Sequence, residues 1–427
     1  MAEKARPIKA DRLLNRYSGY RHNRTVTEDP ELTHVGPGTP CGEYLRRFWQ
    51  PIEFSAEVND LPKRIKILDE ELVLFRDRSG HVGLLDWRCS HRGTSLEFGL
   101  VSEHGIRCCY HGWLFDVDGT ILEIPSEPPT STLKERLCHP AYPTMEFNGV
   151  VFAYFGPPEL RPEFPLYDLF QVPGYRFVPG GKRAIPCNWL QVKENSMDPV
   201  HTAFLHTRVT GTQFTDEFGV IPETQYFETP IGMHYVASRR VNDLVWVRVS
   251  DFILPNLHLV PPIWEKATKE KIFNRPMLTN WAVPIDDTNT LRLGFFHIKE
   301  NDDVNWDEIM VKIMFGQTAD RPYEERQRIP GDYDAQVGQG PIAVHGYEHL
   351  VSSDRGVSMC RRLIRQGIQD VKSGKDPMGI VRKPGQIVTT YAQDTVIRIP
   401  KAQSQEADRK VLLETGQKVV SGDYQAA

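Results

Sequence analysis

Alternation of apolar and polar side chains predicts antiparallel strands in the first third of the chain. From Ile65 the apolar positions recur at every second residue, as at Ile65 and Ile67. The pair Asp69-Glu70 and the triplet Arg78-Ser79-Gly80 are turn signals, and the distance between them along the sequence is typical of β-hairpins. The pattern therefore predicts an all-β segment that extends to about residue 155.

A second sheet and a long helix are predicted further along the chain. Residues 226–259 and 278–297 are rich in β-branched and aromatic side chains, and the turn sequence at 286–289 interrupts the second run. After Ser353-Asp354 the apolar residues recur every 3.6 positions, with Gly374 just beyond the end. These apolar residues are Val357, Cys360, Leu363, Ile364, Ile368 and Val371. We expect this helix to pack its apolar side on the sheet.

The turn-rich segments divide the chain. Four prolines occur within the ten residues 156–165, which predicts an extended connector and a domain boundary. The predicted fold class is α+β. We expect an N-terminal arm over 1–42, an antiparallel-β domain over 43–158, a catalytic domain with a helix-flanked antiparallel sheet over 159–400, and a polar surface tail over 401–427.

Composition narrows the class of protein. The 427 residues are 40% hydrophobic and 25% charged, with a net charge of −5, which is typical of a globular chain and not of a nucleic-acid binder. No apolar stretch approaches the roughly 20 residues that span a bilayer, and the N-terminus has no secretory core. We expect a cytoplasmic protein with no nucleic-acid or membrane partner. The seven cysteines are too few and scattered for a disulfide scaffold, which favours metal chemistry for some of them.

Two Cys/His pairs form the first candidate metal site. Cys89-Ser-His91 is followed after sixteen residues by Cys108-Cys-Tyr-His111. Mononuclear zinc sites usually pair cysteine with cysteine and histidine with histidine. The alternation seen here suits a [2Fe-2S] centre in which two thiolates hold one iron and two imidazoles hold the other.

These pairs resemble the Rieske signature. The sequence continues as Cys89-Ser-His91-Arg-Gly and Cys108-Cys-Tyr-His111-Gly-Trp113, close to the family patterns C-x-H-R-G and C-P-Y-H-G-W. Cys109 stands where the family usually has proline. Only Cys108 gives the C-x2-H spacing, so Cys108 is the predicted ligand. A structural zinc site is the competing interpretation.

The second candidate metal site is the segment Asp198-Pro-Val-His201-Thr-Ala-Phe-Leu-His206. Residues five apart do not share one face of an ideal helix. For both histidines to meet one metal, the helix must end, bend or contain a π-bulge between them. Histidines at this spacing are ordinarily surface or core residues, and the upstream Rieske motif is what favours a metal.

Together the two sites resemble the Rieske non-haem iron oxygenases, whose motif D-x2-H-x4-H matches Asp198, His201 and His206. The resemblance extends over about 35–370 and implies a mononuclear iron held by the two histidines and a carboxylate, with open positions for dioxygen. It also implies that Asp198 hydrogen-bonds His201 of its own chain and His111 of a neighbouring chain, and hence a homotrimer.

The third ligand is predicted from a resemblance to the phthalate-type branch, in which an aspartate eight residues before Gly-Pro-Ile binds the iron. That position is Asp332. Asp334 is the second choice, and Asp354 is a weaker one that suits a helix cap better. Asp286 and Asp287 are interpreted as turn residues.

The resemblance implies a terminal oxygenase. No G-x-G-x-x-G motif is present, so we expect a separate reductase or ferredoxin to supply electrons. The branch acts largely on small aromatic acids, and Arg239, Arg240, Arg248 and Arg292 are candidates to bind the acid, although arginines on strands are by default exposed.

Two reactions agree with this resemblance. O-demethylation of a methoxylated, lignin-derived acid is favoured, and the chain length leaves room for a biaryl acid such as dehydrodivanillate. Ring hydroxylation of a phthalate-like acid is the alternative. A hypothesis of another class is a Rieske electron-transfer protein whose second domain binds no iron, and a third is a zinc-stabilised binding module.

Overall fold

The first part of the chain forms three small antiparallel sheets, in the orders β1-β11-β10, β2-β3-β4-β9 and β5-β6-β7-β8. The computed structural model describes residue 16 and residues 26–262, 267–273, 275–300 and 305–424. The strands are β1 (Trp49–Phe54), β2 (Lys63–Ile67), β3 (Glu70–Arg76), β4 (Val82–Asp86), β5 (Leu100–Val101), β6 (Ile106–Arg107), β7 (Leu114–Phe115), β8 (Ile121–Glu123), β9 (Ala141–Tyr142), β10 (Thr144–Phe147) and β11 (Val150–Tyr154).

The predicted hairpins are confirmed. Leu68 and Asp69 join β2 to β3 with positive φ angles of 51° and 64°, the backbone that a tight two-residue hairpin turn requires. Residues 77–81 join β3 to β4, where the Asp77 carboxylate accepts hydrogen bonds from the Ser79 hydroxyl and the His81 N–H.

A nine-stranded sheet dominates the rest of the chain. Seven strands follow the antiparallel order β13-β20-β19-β17-β16-β15-β14, and β22 joins β16 and β18 beside them. The strands after the connector are β12 (Leu166–Tyr167), β13 (Tyr175–Ile185), β14 (Glu223–Thr229), β15 (Gly232–Val241), β16 (Leu244–Ile253), β17 (Leu257–Val260), β18 (Lys271–Phe273), β19 (Leu278–Asp286), β20 (Asn289–Lys299), β21 (Ile387–Val388) and β22 (Gln393–Arg398). The predicted α+β class is confirmed.

Helices cover this sheet and its edges. They are α1 (Pro30–Thr33), α2 (Pro40–Leu45), α3 (Leu133–Arg136), α4 (Trp189–Asn195), α5 (His201–Ala203), α6 (Trp306–Met314), α7 (Tyr323–Arg328), α8 (Asp332–Val337), α9 (Arg355–Lys372) and α10 (Gln405–Val420). Short turns of 3-10 helix occur at Ser55–Glu57, Leu96–Phe98, Pro158–Leu160, Asp168–Gln171, Asp216–Gly219, His345–Tyr347 and Ser352–Asp354. Within the described ranges, no helix has both the length and the apolar composition to cross a bilayer.

The helix predicted after Asp354 is α9, and its packing differs from the expectation. It packs chiefly on α1 and α2, with a smaller contact to the sheet. Gly367 lies against the ring of buried Tyr44, and Arg365 forms ion pairs with Asp29 and Glu31. The apolar stripe therefore covers the N-terminal helices, which sequence periodicity alone does not identify as its partner.

Described segments near both ends of the chain pack against the rest of the structure. In the lead-in segment, Leu32 and Val35 are fully buried in the main core. In the tail, α10 packs on β14, β15 and β16, where Leu412 and Val419 share a cluster with Val247. The tail thus forms a helix on the surface of the sheet, held there by its apolar side chains.

Candidate metal centres and substrate cavity

Two loops of the same construction hold the predicted Rieske ligands. In each loop the cysteine N–H donates to the carbonyl five residues later, and a glycine N–H four residues later donates back to the cysteine carbonyl. The cysteines are Cys89 and Cys108, and the glycines are Gly93 and Gly112. Both glycines have φ near +75°, a conformation that other residues rarely adopt. The loops therefore present their side chains as a matched pair.

The side chains of these loops fit a [2Fe-2S] cluster. Cys89 and Cys108 are both buried. The rings of His91 and His111 lie 4.5 Å apart, and the His91 Nδ1 is buried without a hydrogen-bond partner among the described residues. Two sulfur donors on one side and two nitrogen donors on the other are what a Rieske cluster requires. Cys109, in contrast, is exposed.

A π-helical turn brings the two downstream histidines together. The short helix α5 starts at His201 and continues as a π-helix over Phe204–Arg208. The wider turn places the rings of His201 and His206 with centroids 5.2 Å apart. The predicted irregularity between the histidines is therefore confirmed. The His201 Nδ1 contacts the Asp198 backbone carbonyl, and the His206 Nδ1 contacts the Gln213 amide oxygen at 2.7 Å, so both Nε2 atoms face a common point.

Asp332 completes this group. It is the first residue of α8, and its Oδ1 lies 3.4 Å from the His206 Nε2 and 3.8 Å from the His201 Nε2. Burial alone would raise the pKa of Asp332, but His206 and His201 hold it well below its usual value. A carboxylate and two imidazoles form the 2-His-1-carboxylate set that suits non-haem iron.

The other aspartates considered from the sequence lie elsewhere. Asp334 accepts a hydrogen bond from the Gly331 N–H and pairs with Arg326 at 2.7 Å. Asp354 accepts from the Val351 N–H beside the start of α9. Asp286 ends β19 and Asp287 follows it in the turn to β20, at the turn expected from the sequence. The structure thus brings Asp332, and none of these four, to the histidines.

Asp198 lies beside the histidines with its carboxylate partly exposed. Its Oδ1 accepts a hydrogen bond from the Val200 N–H at 2.7 Å, and its Oδ2 is 4.0 Å from the His201 Nδ1. The Asp198 main-chain carbonyl, and not the carboxylate, accepts the hydrogen bond from the His201 Nδ1. The carboxylate therefore stays free to accept a further donor.

A cavity of about 120 Å³ adjoins the group, and one face of the large sheet forms its wall. Alternate residues of β13, β20, β19, β17, β16 and β15 point into it, as the two-residue period of a strand requires. Its apolar lining residues include Phe214, Phe218, Val260, Leu278, Phe296 and Ile313.

Three of the four candidate arginines line this cavity, which contradicts the expectation of exposed strand charges. Arg239 donates to the Thr202 hydroxyl at 2.9 Å, and Arg248 donates to the Pro261 carbonyl at 2.9 Å. Arg292 also lines the cavity. Only Arg240 lies elsewhere, in a two-point ion pair with Asp408. Side chains on the same face of neighbouring antiparallel strands form one wall. These arginines are therefore buried because of the order of the strands in the sheet.

Three hydrogen-bond donors of this wall lack partners within the described part of the chain. Neither His258 nitrogen has a partner, and nor does the Asn280 amide nitrogen. Among the described residues the Arg292 guanidinium has neither a hydrogen bond nor an ion pair; burial lowers its pKa, and the charge of Asp332 opposes this shift. His258 and Asn280 are directly opposite each other on β17 and β19, and Arg292 is opposite Ala282, two residues further along β19.

Comparisons with known proteins agree with both centres. The sequence model of the Rieske [2Fe-2S] domain matches residues 48–138. The oxygenase subunit of the tert-butanol monooxygenase / tert-amyl alcohol desaturase of Aquincola tertiaricarbonis is 44% identical, over 97% of this chain and 93% of that protein. The chain belongs to the Rieske non-haem iron oxygenases.

Other relatives of this oxygenase have different named substrates. The alpha subunit of phenoxybenzoate dioxygenase from Ectopseudomonas oleovorans is 41% identical, over 82% of this chain and 87% of that protein. The oxygenase subunit of 5,5'-dehydrodivanillate O-demethylase from Sphingobium sp. is 32% identical, over 84% of each. The crystal structure of dicamba monooxygenase bound to dicamba shares the fold, with a TM-score of 0.59 and 19% identity over 78% of this chain and 99% of that chain.

The cofactors of this oxygenase are a Rieske [2Fe-2S] cluster and a mononuclear iron. When bound, they supply electrons and the activation of dioxygen. The chain is an enzyme, so the hypotheses of a simple electron-transfer protein and of a zinc-stabilised module are both wrong.

Sequence reasoning missed four residues of this site. His258 and Asn280 belong to no motif, and only the strand register brings them to the cavity. Gln213 and Gln317 hydrogen-bond the metal-facing residues His206 and Asp332 from the loops after α5 and α6. Glutamine is a common surface residue, and no local signal distinguishes these two.

Proposed function

We propose that this oxygenase O-demethylates a methoxylated aromatic acid that binds in the cavity beside His201, His206 and Asp332. One oxygen atom of dioxygen enters a C–H bond of the methoxy group, and the hemiacetal that results releases formaldehyde and leaves a phenol. The other atom leaves as water, which consumes two electrons and two protons. The observation that carries the proposal is the set of unpartnered donors on the cavity wall.

These donors suit a carboxylate. A carboxylate has four lone-pair sites, and the planar guanidinium of Arg292 can fill two of them at once. Burial, together with the neighbouring positive charges of Lys193 and Arg292, lowers the pKa of His258 well below its usual value, so its imidazole is neutral and has one N–H to donate. A neutral ligand would leave Arg292 unpaired in the wall, which is costly.

The size of the cavity supports a compact acid. The cavity volume is about 120 Å³, less than the roughly 150 Å³ of an apolar cavity that binds benzene, and several phenyl rings line it. This favours an acid with a single ring over the biaryl acid expected from the chain length. The additional length includes α10, whose residues do not line the cavity.

The names of the relatives support oxidation of a methyl group. All the C–H bonds of tert-butanol are on methyl carbons, and an O-demethylase likewise oxidises a methyl carbon. Ring hydroxylation of an aromatic acid is the second candidate, favoured by the relative named phenoxybenzoate dioxygenase. A reductase or ferredoxin on another chain would supply the electrons in either case.

We further propose that the chain works as a homotrimer, with the cluster in a domain over 43–158 and the iron in a domain over 159–400. The support is the partly exposed Asp198 carboxylate, whose free Oδ2 could accept a hydrogen bond from His111 of a second copy. Light scattering of the purified protein tests the trimer. Asp198→Asn should leave both iron centres loaded and slow the reoxidation of the reduced Rieske cluster by oxygen with substrate.

A single-turnover experiment tests the reaction. The protein is reduced chemically without oxygen, mixed with 4-methoxybenzoate, 3-methoxybenzoate, phthalate or tert-butanol, and exposed to oxygen. A hydroxybenzoate with an equal amount of formaldehyde is the expected product. A hydroxylated ring with the methoxy group intact would support the second candidate, and oxidation of tert-butanol alone would refute the acid-binding role.

A further inference from the structure

We propose that Gln213 is a positioning residue that fixes the tautomer of His206, so that the Nε2 lone pair of this histidine faces the metal. The inference concerns the metal site alone and does not depend on which substrate is oxidised. Gln213 lies seven residues after His206, beyond the π-helical turn. It reaches back to His206 and also across to the end of α6.

Gln213 contacts His206 twice. Its backbone N–H donates to the His206 carbonyl at 3.0 Å, which closes the loop after the π-helix. Its Oε1 lies 2.7 Å from the His206 Nδ1. The same amide places its Nε2 at 2.7 Å from the Lys312 carbonyl and 3.2 Å from the Phe315 carbonyl. The two bonds from Nε2 join the His206 loop to the C-terminal end of α6, and the other two lie within the loop.

The two carbonyl groups determine which way the amide points. If the amide were turned over, its oxygen would face two carbonyl oxygens, which cannot donate a proton. The NH2 group must therefore face Lys312 and Phe315, and the oxygen must face the imidazole. An amide oxygen can only accept, so the His206 Nδ1 carries the proton. With the proton on Nδ1, Nε2 is the atom left to bind a metal, and it lies on the side of Asp332.

A second glutamine acts in the same way on the carboxylate. The Gln317 Nε2 donates to the Asp332 Oδ2 at 2.6 Å, and the Gln317 Oε1 accepts from the Arg183 guanidinium at 2.6 Å. A donor on one side and an acceptor on the other again allow one amide orientation. The Asp332 Oδ2 is thereby occupied, and Oδ1 is the atom that faces both histidines. The segment 312–317 thus sets the ligand atom of both residues.

The test compares two substitutions of Gln213. One removes both the oxygen acceptor and the NH2 donor of its side chain, and the other removes the donor alone. Gln213→Leu removes both, and loss of such an outer hydrogen bond to a metal-binding histidine typically costs about 10- to 100-fold in metal affinity. Gln213→Glu keeps an acceptor for the Nδ1 proton but turns an oxygen toward two carbonyl groups. We expect the Glu variant to melt at a lower temperature and yet to recover most of the iron affinity that the Leu variant loses.

Iron affinity is measured by competition with a chelator for Fe(II), on full-length protein whose Rieske absorbance is intact. The EPR spectrum of the ferrous site with nitric oxide as a probe reports its geometry, and we expect it to change in the Leu variant alone. Gln366→Leu is the matched control, because the Gln366 amide bonds only Asp370 on the exposed side of α9. If Gln213→Leu does not fold, Gln213→Asn, one methylene too short to bridge both sides, replaces it.

Two results would overturn the proposal. One is an iron affinity and EPR spectrum unchanged in the Leu or Asn variant. The other is an equal loss of iron in the Leu and Glu variants, which would mean that Gln213 only anchors α6 and does not act through the imidazole.

Discussion

Replacing Arg292 by methionine should weaken the binding of an aromatic acid and at the same time stabilise the free protein. Arg292 lines the cavity without a partner among the described residues. Methionine keeps the length and apolar stem of the side chain and removes the charge. The two effects have opposite signs because the same unpaired guanidinium that attracts a carboxylate destabilises the cavity when no carboxylate is present.

The magnitudes follow from the contacts. A hydrogen bond to a charged group contributes about 1.5–3 kcal/mol, so the dissociation constant of the acid should rise by about 10- to 150-fold. Release of the unpaired charge should stabilise the free protein by only about 1 kcal/mol, because the guanidinium is partly open to the cavity. Since the entropy of unfolding grows with chain length, 1 kcal/mol in a chain of 427 residues raises the Tm by about 1 °C.

Arg240→Met is the matched control. Arg240 is on the same sheet but forms a two-point ion pair with Asp408, with distances of 2.7 and 3.0 Å. Removal of Arg240 leaves the Asp408 carboxylate without its ion-pair partner. This variant should therefore lose stability and keep its affinity for the acid.

Binding of 4-methoxybenzoate is measured by calorimetry, and the Tm by scanning calorimetry of the ligand-free protein. The reasoning would be refuted if Arg292→Met bound the acid as tightly as the natural chain. It would equally be refuted if both arginine variants lost stability to the same extent, since Arg292 would then have a partner.

Three further outcomes are expected. Burial raises the pKa of Asp251 to about 7. The protonated carboxyl group therefore contributes its full stability below about pH 4, and this contribution is lost as the pH rises through 7. In thermal melts from pH 5 to 8, Asp251→Asn should remove this pH-dependent loss and raise the Tm at pH 8. Gly367→Ala puts a methyl group into the ring of Tyr44, and denaturant titration should show a loss of about 1–3 kcal/mol. The double change His201→Ala and His206→Ala should remove about one iron per chain by elemental analysis and leave the Rieske absorbance unchanged; retention of the full iron content would place the mononuclear site elsewhere.

Local signals predicted the elements that are stabilised locally. Each hairpin of β2, β3 and β4 has its own turn residues, and α9 has its own apolar stripe, so their existence did not depend on distant parts of the chain. The spacing of His201 and His206 even predicted an irregular turn, because five residues do not fit one face of a regular helix.

Features that depend on distant partners were not predictable in this way. Arg248 and Arg292 are 44 positions apart and meet in one wall only because β16, β17, β19 and β20 are neighbours in the sheet. The role of Gln213 depends on the carbonyl groups at the end of α6, about 100 positions away. In both cases the residue type is ordinary, and its surroundings give it a function.

The contacts between the N-terminal helices and α9 have a consequence for the order of folding during synthesis. Leu32 and Tyr44 lie in the core with Ile364, and Asp29 pairs with Arg365, so the sequence separation is more than 300 residues. The ribosome releases α1 and α2 long before α9 exists. The hairpins of the cluster domain can close as soon as they emerge, because their contacts are short-range. The contacts of α1 and α2 with α9, in contrast, can form only when nearly the whole chain has been made.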